Sequence, residues 1–135
     1  MSQFRTVTKD FSVSPQIAPP DLNIAKREGF VLVINNRPDG ESPDQPSSDL
    51  MAERAAAAGL AYRFIPVVGR PTAEQARAVR DAAAGAGGKV LAFGRSGTRS
   101  ITAWSMGQAA AGDRTRDELI ALGADAGYDL SGALG

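Results

Sequence analysis

The sequence contains neither cysteine nor histidine among its 135 residues. Without cysteine there is no disulfide framework and no thiolate nucleophile, and without histidine there is no Ser-His-Asp triad and no histidine phosphotransfer. The lack of both also excludes the usual Cys/His zinc sites. Chemistry is left to carboxylates, arginine, hydroxyl groups, tyrosine and backbone amides, and we expect no cofactor and no bound metal.

The sequence also lacks an excess of charge of either sign, and it has no long apolar run. Lys and Arg together number 15 and Asp and Glu 15, so no basic field exists to hold a nucleic acid or an anionic membrane. No run approaches the roughly 18 apolar residues of a membrane helix, and the start MSQFRTVTKDF lacks the layout of a signal peptide. We therefore expect a single cytoplasmic domain over residues 1–135.

Short apolar runs alternate with longer Ala-rich helical patterns along the chain. The runs FRTV and FSVS predict paired edge strands within residues 1–14. The β-branched run VLVIN at 31–35 predicts a strand buried on both faces, at the centre of the fold. Further strands are predicted at 61–68 and 89–93, helices at 19–28, 48–59, 72–84, 99–111 and from about 115, and a frayed end at 131–135. This order predicts an α/β fold, with a mostly parallel central sheet of about 4–5 strands and helices on both faces.

Three loops follow predicted parallel strands, at residues 35–40, 67–71 and 94–100. Such loops meet at one edge of the sheet, where ligands of open α/β folds bind. The segment 36–48 is rich in proline and acidic residues and is long for a compact domain, which is more typical of a functional loop than of an idle one.

The loop at 94–100 reads Gly-Arg-Ser-Gly-Thr-Arg-Ser and opens onto a predicted helix. Successive N–H groups there can converge on one anion, the helix end adds partial positive charge, and Arg99 can grip two oxygens. Phosphate, sulfate, sulfonate or a persulfide-type group would suit. The alternative is a plain turn, with glycines at positive φ and solvated arginines. Neither a Walker A loop nor a dinucleotide-binding fingerprint matches.

Together, the segments FSVSPQI, INNRPDGE, QPSS, FIPVVG and RSGTRS make the sequence similar to a known family across nearly its whole length. It resembles the phosphatase-like domains of beta-lactamase hydrolase-like proteins, bacterial relatives of the cysteine-dependent phosphatases that are also labelled sulfurtransferases. The resemblance implies a phosphatase-type α/β fold and a loop that binds an oxyanion through Arg95, Ser96, Gly97, Thr98, Arg99 and Ser100. Relatives fused to a persulfide dioxygenase-type domain imply a partner of that type here.

The sequence departs at one position from the loop pattern of the family it resembles. The family's loop is Cys-Arg-Ser-Gly-Thr-Arg, and this sequence places Gly94 where the nucleophilic cysteine stands. Phosphocysteine and persulfide chemistry both need that thiolate, so the family's hydrolase or sulfur-transfer activity is expected to be lost. Four residues separate Gly94 from Arg99, the spacing of rhodanese-type sulfurtransferases, whereas tyrosine phosphatases have five. That spacing favours sulfur transfer slightly.

Other site residues carry alternatives that the sequence leaves open. Asp39 is the candidate general acid, because the loop after the second predicted core strand has no carboxylate, but it is equally a turn residue. Arg37 adds positive charge at the pocket mouth or bonds to loop carbonyls, and Ser100 bonds within the loop or caps the helix. Arg95 is a rim charge, and the alternative for Arg99 is an ion pair with an acid such as Asp39.

Three functional hypotheses follow. The first is a phosphatase-like, sulfurtransferase-like domain that binds a small oxyanion or a phosphorylated or persulfidated group without a competent nucleophile. The second is an active hydrolase that uses Asp39 and a loop hydroxyl or water, and the third is a non-catalytic interaction domain. Phosphatase versus sulfurtransferase chemistry, the natural or introduced origin of Gly94, the physiological substrate and the oligomeric state stay open.

Overall fold

A computed structural model describes residues 3–134, which form one five-stranded sheet and five helices. Residues 1, 2 and 135, which the sequence assigns to the edge-strand segment and the frayed end, lie outside the described part. The strands are β1 (Arg5–Thr8), β2 (Phe11–Ser14), β3 (Phe30–Asn35), β4 (Ala61–Phe64) and β5 (Lys89–Phe93). The helices are α1 (Pro19–Arg27), α2 (Ser48–Ala57), α3 (Ala73–Ala84), α4 (Thr98–Ala110) and α5 (Arg116–Asp125).

The sheet has the order β1-β2-β5-β3-β4 and is mostly parallel, as the sequence predicts. Only the β1–β2 pair is antiparallel, which confirms the predicted hairpin at the edge. β5 pairs in parallel with both β2 and β3, so β5 is the middle strand. β3 lies next to it, paired in parallel on both sides and almost wholly buried, as the run at 31–35 predicts.

Helices cover both faces of the sheet. On one face Val90 and Ala92 of β5 pack with Ile101 and Trp104 of α4 and with residues of α3 and α5. On the other face Leu91 and its neighbours pack against α1 and α2. The alternation of β5 side chains between two apolar layers is why KVLAF has no polar position within its last four residues.

Helix starts follow the capping chemistry of the sequence. Thr72 and Gln75 form a reciprocal capping box at the start of α3, and Thr115 and Glu118 do the same at α5. Ser47 accepts a hydrogen bond from Leu50 N and so caps α2. None of the helices within residues 3–134 is both long and apolar enough to cross a membrane.

The end of β4 differs from prediction, at Phe64 rather than at 68. Ile65 N still donates to Asn35 O, but Val67 N donates to Asn36 O, one residue further along the chain instead of two, so the regular parallel ladder stops there. At the C-terminal end, where the sequence predicts a frayed segment over 131–135, Ala133 N and Leu134 N donate to the carbonyl of Leu130, and the side chains of Ala133 and Leu134 are partly buried against the core.

Candidate anion-binding site

The carboxyl ends of the parallel strands bring the predicted loops together at one edge. Ser100 Oγ donates to Asn36 Oδ1 at 2.7 Å, which joins the start of α4 to the residue after β3. Arg99 Nη1 donates to the carbonyl of Val67 at 2.8 Å, which adds the loop after β4. The meeting of loops 35–40, 67–71 and 94–100 is therefore confirmed.

The backbone of the 94–100 loop is anchored to its surroundings at three successive residues. Gly94 N donates to Ser14 O at 3.3 Å, and Gln16 N donates to Arg95 O at 3.3 Å. Tyr128 Oη donates to the carbonyl of Ser96 at 2.8 Å. The loop thus has a defined conformation, held by the end of β2 and by the segment after α5.

α4 begins directly at the loop, one residue earlier than the sequence predicts. Gly97 is its N-cap with φ +92°, a conformation that glycine adopts without strain. Within residues 3–134 no acceptor pairs with the N–H groups of Arg95, Ser96, Gly97, Arg99 and Ser100. Unpaired N–H groups at a helix N-terminus are the arrangement that binds anions.

Arg99 reaches across the site and holds a carboxylate with two of its three nitrogens. Nη1 and Nη2 donate to Oε2 and Oε1 of Glu41 at 2.8 Å each. The sequence offers an ion pair with an acid such as Asp39 as the alternative for Arg99; the ion pair is present, and its acid is Glu41. A guanidinium has five N–H groups. Nε–H and the second Nη2–H, which share one edge, meet no acceptor in the described chain.

Glu41 is shared by two arginines. Arg37, which is 5 % exposed, donates from Nε to Glu41 Oε1 at 3.1 Å and from Nη1 to Gln16 Oε1 at 3.0 Å. Hydrogen bonds from Arg99, more than those from Arg37, lower the pKa of the Glu41 carboxyl to about 2 against the opposing effect of burial. Glu41 therefore stays ionised and keeps Arg99 in one orientation at neutral pH.

Gly94 is buried and has an ordinary backbone, since it is absent from the glycines with positive φ within residues 3–134. A β-carbon at this position would meet Ser100 Oγ at 3.8 Å, an ordinary contact, and no other atom within 4 Å. Ser100 is fully buried and bonds to Asn36 rather than within the loop, so that prediction is corrected. Position 94 has room for a side chain.

Asp39 forms its hydrogen bond away from the 94–100 loop. Its Oδ1 accepts from Ser48 N at 2.8 Å, which places the carboxylate at the start of α2. No hydrogen bond among residues 3–134 links it to the 94–100 loop, and the general-acid role stays a prediction. Ser96 and Thr98 are exposed and their hydroxyls bond to each other at 3.0 Å, while Arg95 is exposed at the rim.

Sequence reasoning did not identify three residues that hold the site in place. Asn36 and Glu41 lie in the segment INNRPDGE, so the motif itself was the signal for them. Tyr128 lies outside every segment that carries the resemblance, and nothing in the local sequence indicates its contact with the loop. Trp104, in contrast, is a core residue: it is 3 % exposed and its ring stacks on that of Phe11, with the two centroids 4.6 Å apart.

Comparison with known proteins gives consistent matches. The family model described as beta-lactamase hydrolase-like protein, phosphatase-like domain matches residues 3–111. A beta-lactamase hydrolase-like protein of Xylella fastidiosa is 44% identical over 116 residues, which are 84% of this chain and 26% of that protein. One from Agrobacterium fabrum is 40% identical over 121 residues, 88% of this chain and 27% of that protein. The chain spans about a quarter of these relatives.

The fold agrees with these matches. A crystal structure of a candidate phosphatase from Neisseria meningitidis superposes with a TM-score of 0.85 at 27% identity, covering 98% of this chain and 94% of that one. The described fold is accordingly phosphatase-like. With the family model covering most of the chain, the protein belongs to the family of beta-lactamase hydrolase-like protein, phosphatase-like domains.

Proposed function

We propose that this chain is a phosphatase-like domain whose 94–100 loop binds an oxyanion, namely phosphate, sulfate or a persulfide-type group. The observation that carries the proposal is the set of unpaired loop N–H groups at the start of α4, beside the unpaired Nε/Nη2 edge of Arg99. An anion seated there replaces water on several donors at once and gains a bidentate contact with the guanidinium.

Position 94 limits the chemistry of the proposed site. In the family pattern the nucleophilic cysteine stands where this chain has Gly94. Glycine provides neither a phosphocysteine nor a persulfide intermediate, so the unmodified chain binds the oxyanion without thiolate turnover. The neighbouring hydroxyl of Ser100 does not replace the thiol, because it donates to Asn36 and no histidine is present to deprotonate it.

Thermal unfolding with and without anions tests the binding. At a phosphate concentration 100 times its Kd, binding adds about 2.7 kcal/mol, which raises the Tm of a domain of this size by roughly 10 °C. Phosphate and sulfate are compared with chloride at equal ionic strength, so that general screening cancels. Arg99→Gln is expected to weaken phosphate binding at least tenfold, since it removes a charged pair of donors.

Arg77→Gln is the matched control. Arg77 is exposed on α3 and the substitution removes the same charge. It should leave the phosphate Kd unchanged. Equal losses in the two variants would mean that only net charge matters, and no Tm rise in the unsubstituted protein up to high phosphate would refute the proposed site.

The wider activity is also a proposal. Because the curated relatives are about four times longer than the matched region, their remaining parts carry functions that this domain alone need not have. We propose that the bound group is presented to, or received from, a protein of the persulfide dioxygenase type. Retention of the domain on such an immobilised protein, competed by phosphate, would support this, and retention unaffected by Arg99→Gln would count against it.

A further inference from the structure

Tyr128 contacts the anion-binding loop from the segment that follows α5. The residue is 9 % exposed, its hydroxyl donates to the carbonyl of Ser96 at 2.8 Å, and the Arg5 guanidinium lies 5.2 Å from the centroid of its ring. The residue lies beyond the family-model match, which ends at residue 111. The contact joins the C-terminal segment to the loop that the proposed function uses.

The geometry of the peptide bond gives this contact a consequence. In a trans peptide the C=O and the following N–H point in opposite directions. Tyr128 holds the Ser96 carbonyl on its own side, so the Gly97 N–H points to the opposite side. Gln16 N acts in the same way on the preceding peptide, because it holds the Arg95 carbonyl and thereby turns the Ser96 N–H away.

The fit between Tyr128 and the loop is close. A β-carbon on Gly97 would lie 2.3 Å from Tyr128 Oη, so the hydroxyl packs directly on the loop backbone. Burial raises the pKa of the Tyr128 hydroxyl, which keeps the group protonated and able to donate at neutral pH. Without this donor the Ser96–Gly97 peptide could rotate, and its carbonyl oxygen would then repel an anion.

We propose that Tyr128 is a positioning residue that sets the orientation of the Ser96–Gly97 peptide and so aims the Gly97 N–H at the bound oxyanion. The inference rests on the proposed function, because it concerns how the same loop binds its ligand. Tyr128 does not itself contact the anion. It acts through the backbone, from a part of the chain outside the recognised family pattern.

Tyr128→Phe tests the inference, with inorganic phosphate as the probe. The substitution removes one hydroxyl and keeps the ring packed against Arg5. A misdirected N–H loses part of a charge-assisted hydrogen bond, so we expect about a tenfold rise in the phosphate Kd by calorimetry. Tyr62→Phe is the matched control, because the Tyr62 hydroxyl bonds to Asn35 and Ser48 and does not reach the 94–100 loop. Its Kd should stay within twofold of the parent.

An NMR titration separates positioning from a general loss of stability. In the parent and in Tyr62→Phe, phosphate should shift the Gly97 amide proton downfield as that N–H becomes a donor to the anion. In Tyr128→Phe that shift should shrink selectively, while the shifts of the Arg99 and Ser100 amides persist. Absence of phosphate binding in the parent overturns the proposed function, whereas equal Kd and equal Gly97 shifts in parent and Tyr128→Phe overturn the positioning role alone.

Discussion

Gly94→Cys introduces a thiol at the position where the resemblance to cysteine-dependent phosphatases implies the nucleophile. The structure accommodates the side chain, because the φ of Gly94 is not positive and the nearest atom to a β-carbon is Ser100 Oγ at 3.8 Å. Replacing glycine where the backbone is unstrained removes unfolded-state entropy, so stability should rise slightly, by about 0.4–1 kcal/mol. A large destabilisation would contradict this local geometry.

The thiol introduced at 94 should be acidic. The N-terminus of α4 contributes roughly 0.3–2 kcal/mol to a nearby thiolate, and each hydrogen bond to its charge about 1.5–3 kcal/mol. One such bond together with the helix end gives about 2–5 kcal/mol, which lowers the thiol pKa from about 8.5 to between roughly 5 and 7. The unpaired loop N–H groups are the available donors, because the Ser100 hydroxyl already donates to Asn36.

Thiolate absorbance at 240 nm against pH measures that pKa without interference, because the chain contains no other cysteine. Gly132→Cys is the control, since position 132 is exposed, has open space for a β-carbon and lies at no helix start. Its pKa should stay near 8.5. Phosphate should slow alkylation at 94 and leave alkylation at 132 unchanged.

Turnover by Gly94→Cys then identifies the chemistry. Release of nitrophenol from an aryl phosphate indicates a phosphatase, and sulfur transfer from thiosulfate to cyanide indicates a sulfurtransferase, which the four-residue spacing to Arg99 favours. A thiol at 94 with the pKa of the control and no protection by phosphate would refute the reasoning about the loop. If the thiol at 94 is acidic and phosphate protects it from alkylation, but no turnover is seen, the site lacks a second catalytic group. The general acid is then the first candidate for that group.

Three further outcomes follow from single contacts. Gly97→Ala should lower the free energy of unfolding in urea by about 2–4 kcal/mol, because φ is +92° and the new carbon would lie 2.3 Å from Tyr128 Oη. Gly132→Ala is the control and should change this free energy by under about 0.5 kcal/mol, so similar losses in the two variants would contradict the prediction. The lowered pKa of Glu41 adds stability above pH 4.5, and this stability is lost as the pH falls through about 2. Glu41→Gln should therefore abolish an acid-induced loss of about 1 kcal/mol, a value that allows for solvent screening. Urea midpoints measured between about pH 5 and 2 test this, and the same pH profile in variant and parent would contradict it. Trp104→Ala should cost about 3–5 kcal/mol and remove near-ultraviolet dichroism, and a loss below about 1 kcal/mol would argue against its core role.

The predicted elements differ in how well local sequence determined them. The β5 strand and its loop were predicted closely, because an apolar run followed by Gly-Arg-Ser-Gly has few alternative structures. β4 was predicted four residues too long, since the apolar residues of IPVV continue the pattern although the regular pairing with β3 stops at Phe64. The order of the strands was not predicted, because it depends on crossovers that no local pattern reports.

The partners of the charged groups were the least predictable part of the site. Arg99 was recognised from the loop and an ion pair with a nearby acid was foreseen, but the example named was Asp39, whereas the partner is Glu41, two positions further on. Both carboxylates lie in the same polar loop, and only the folded path of residues 36–48 decides which one reaches the arginine. Asp39 instead bonds to the N–H of Ser48 at the start of α2.

The sequence by itself determined the α/β class, the position of the 94–100 loop before a helix and the lack of any thiol or imidazole, because these depend on local periodicity, glycine spacing and composition. The tertiary structure alone decided which groups complete the site. Glu41, Asn36 and Tyr128 reach the loop across 58, 64 and 32 residues of chain. Such pairings depend on how the strands are ordered and how the C-terminal segment packs, and neither leaves a signal within a short stretch of sequence.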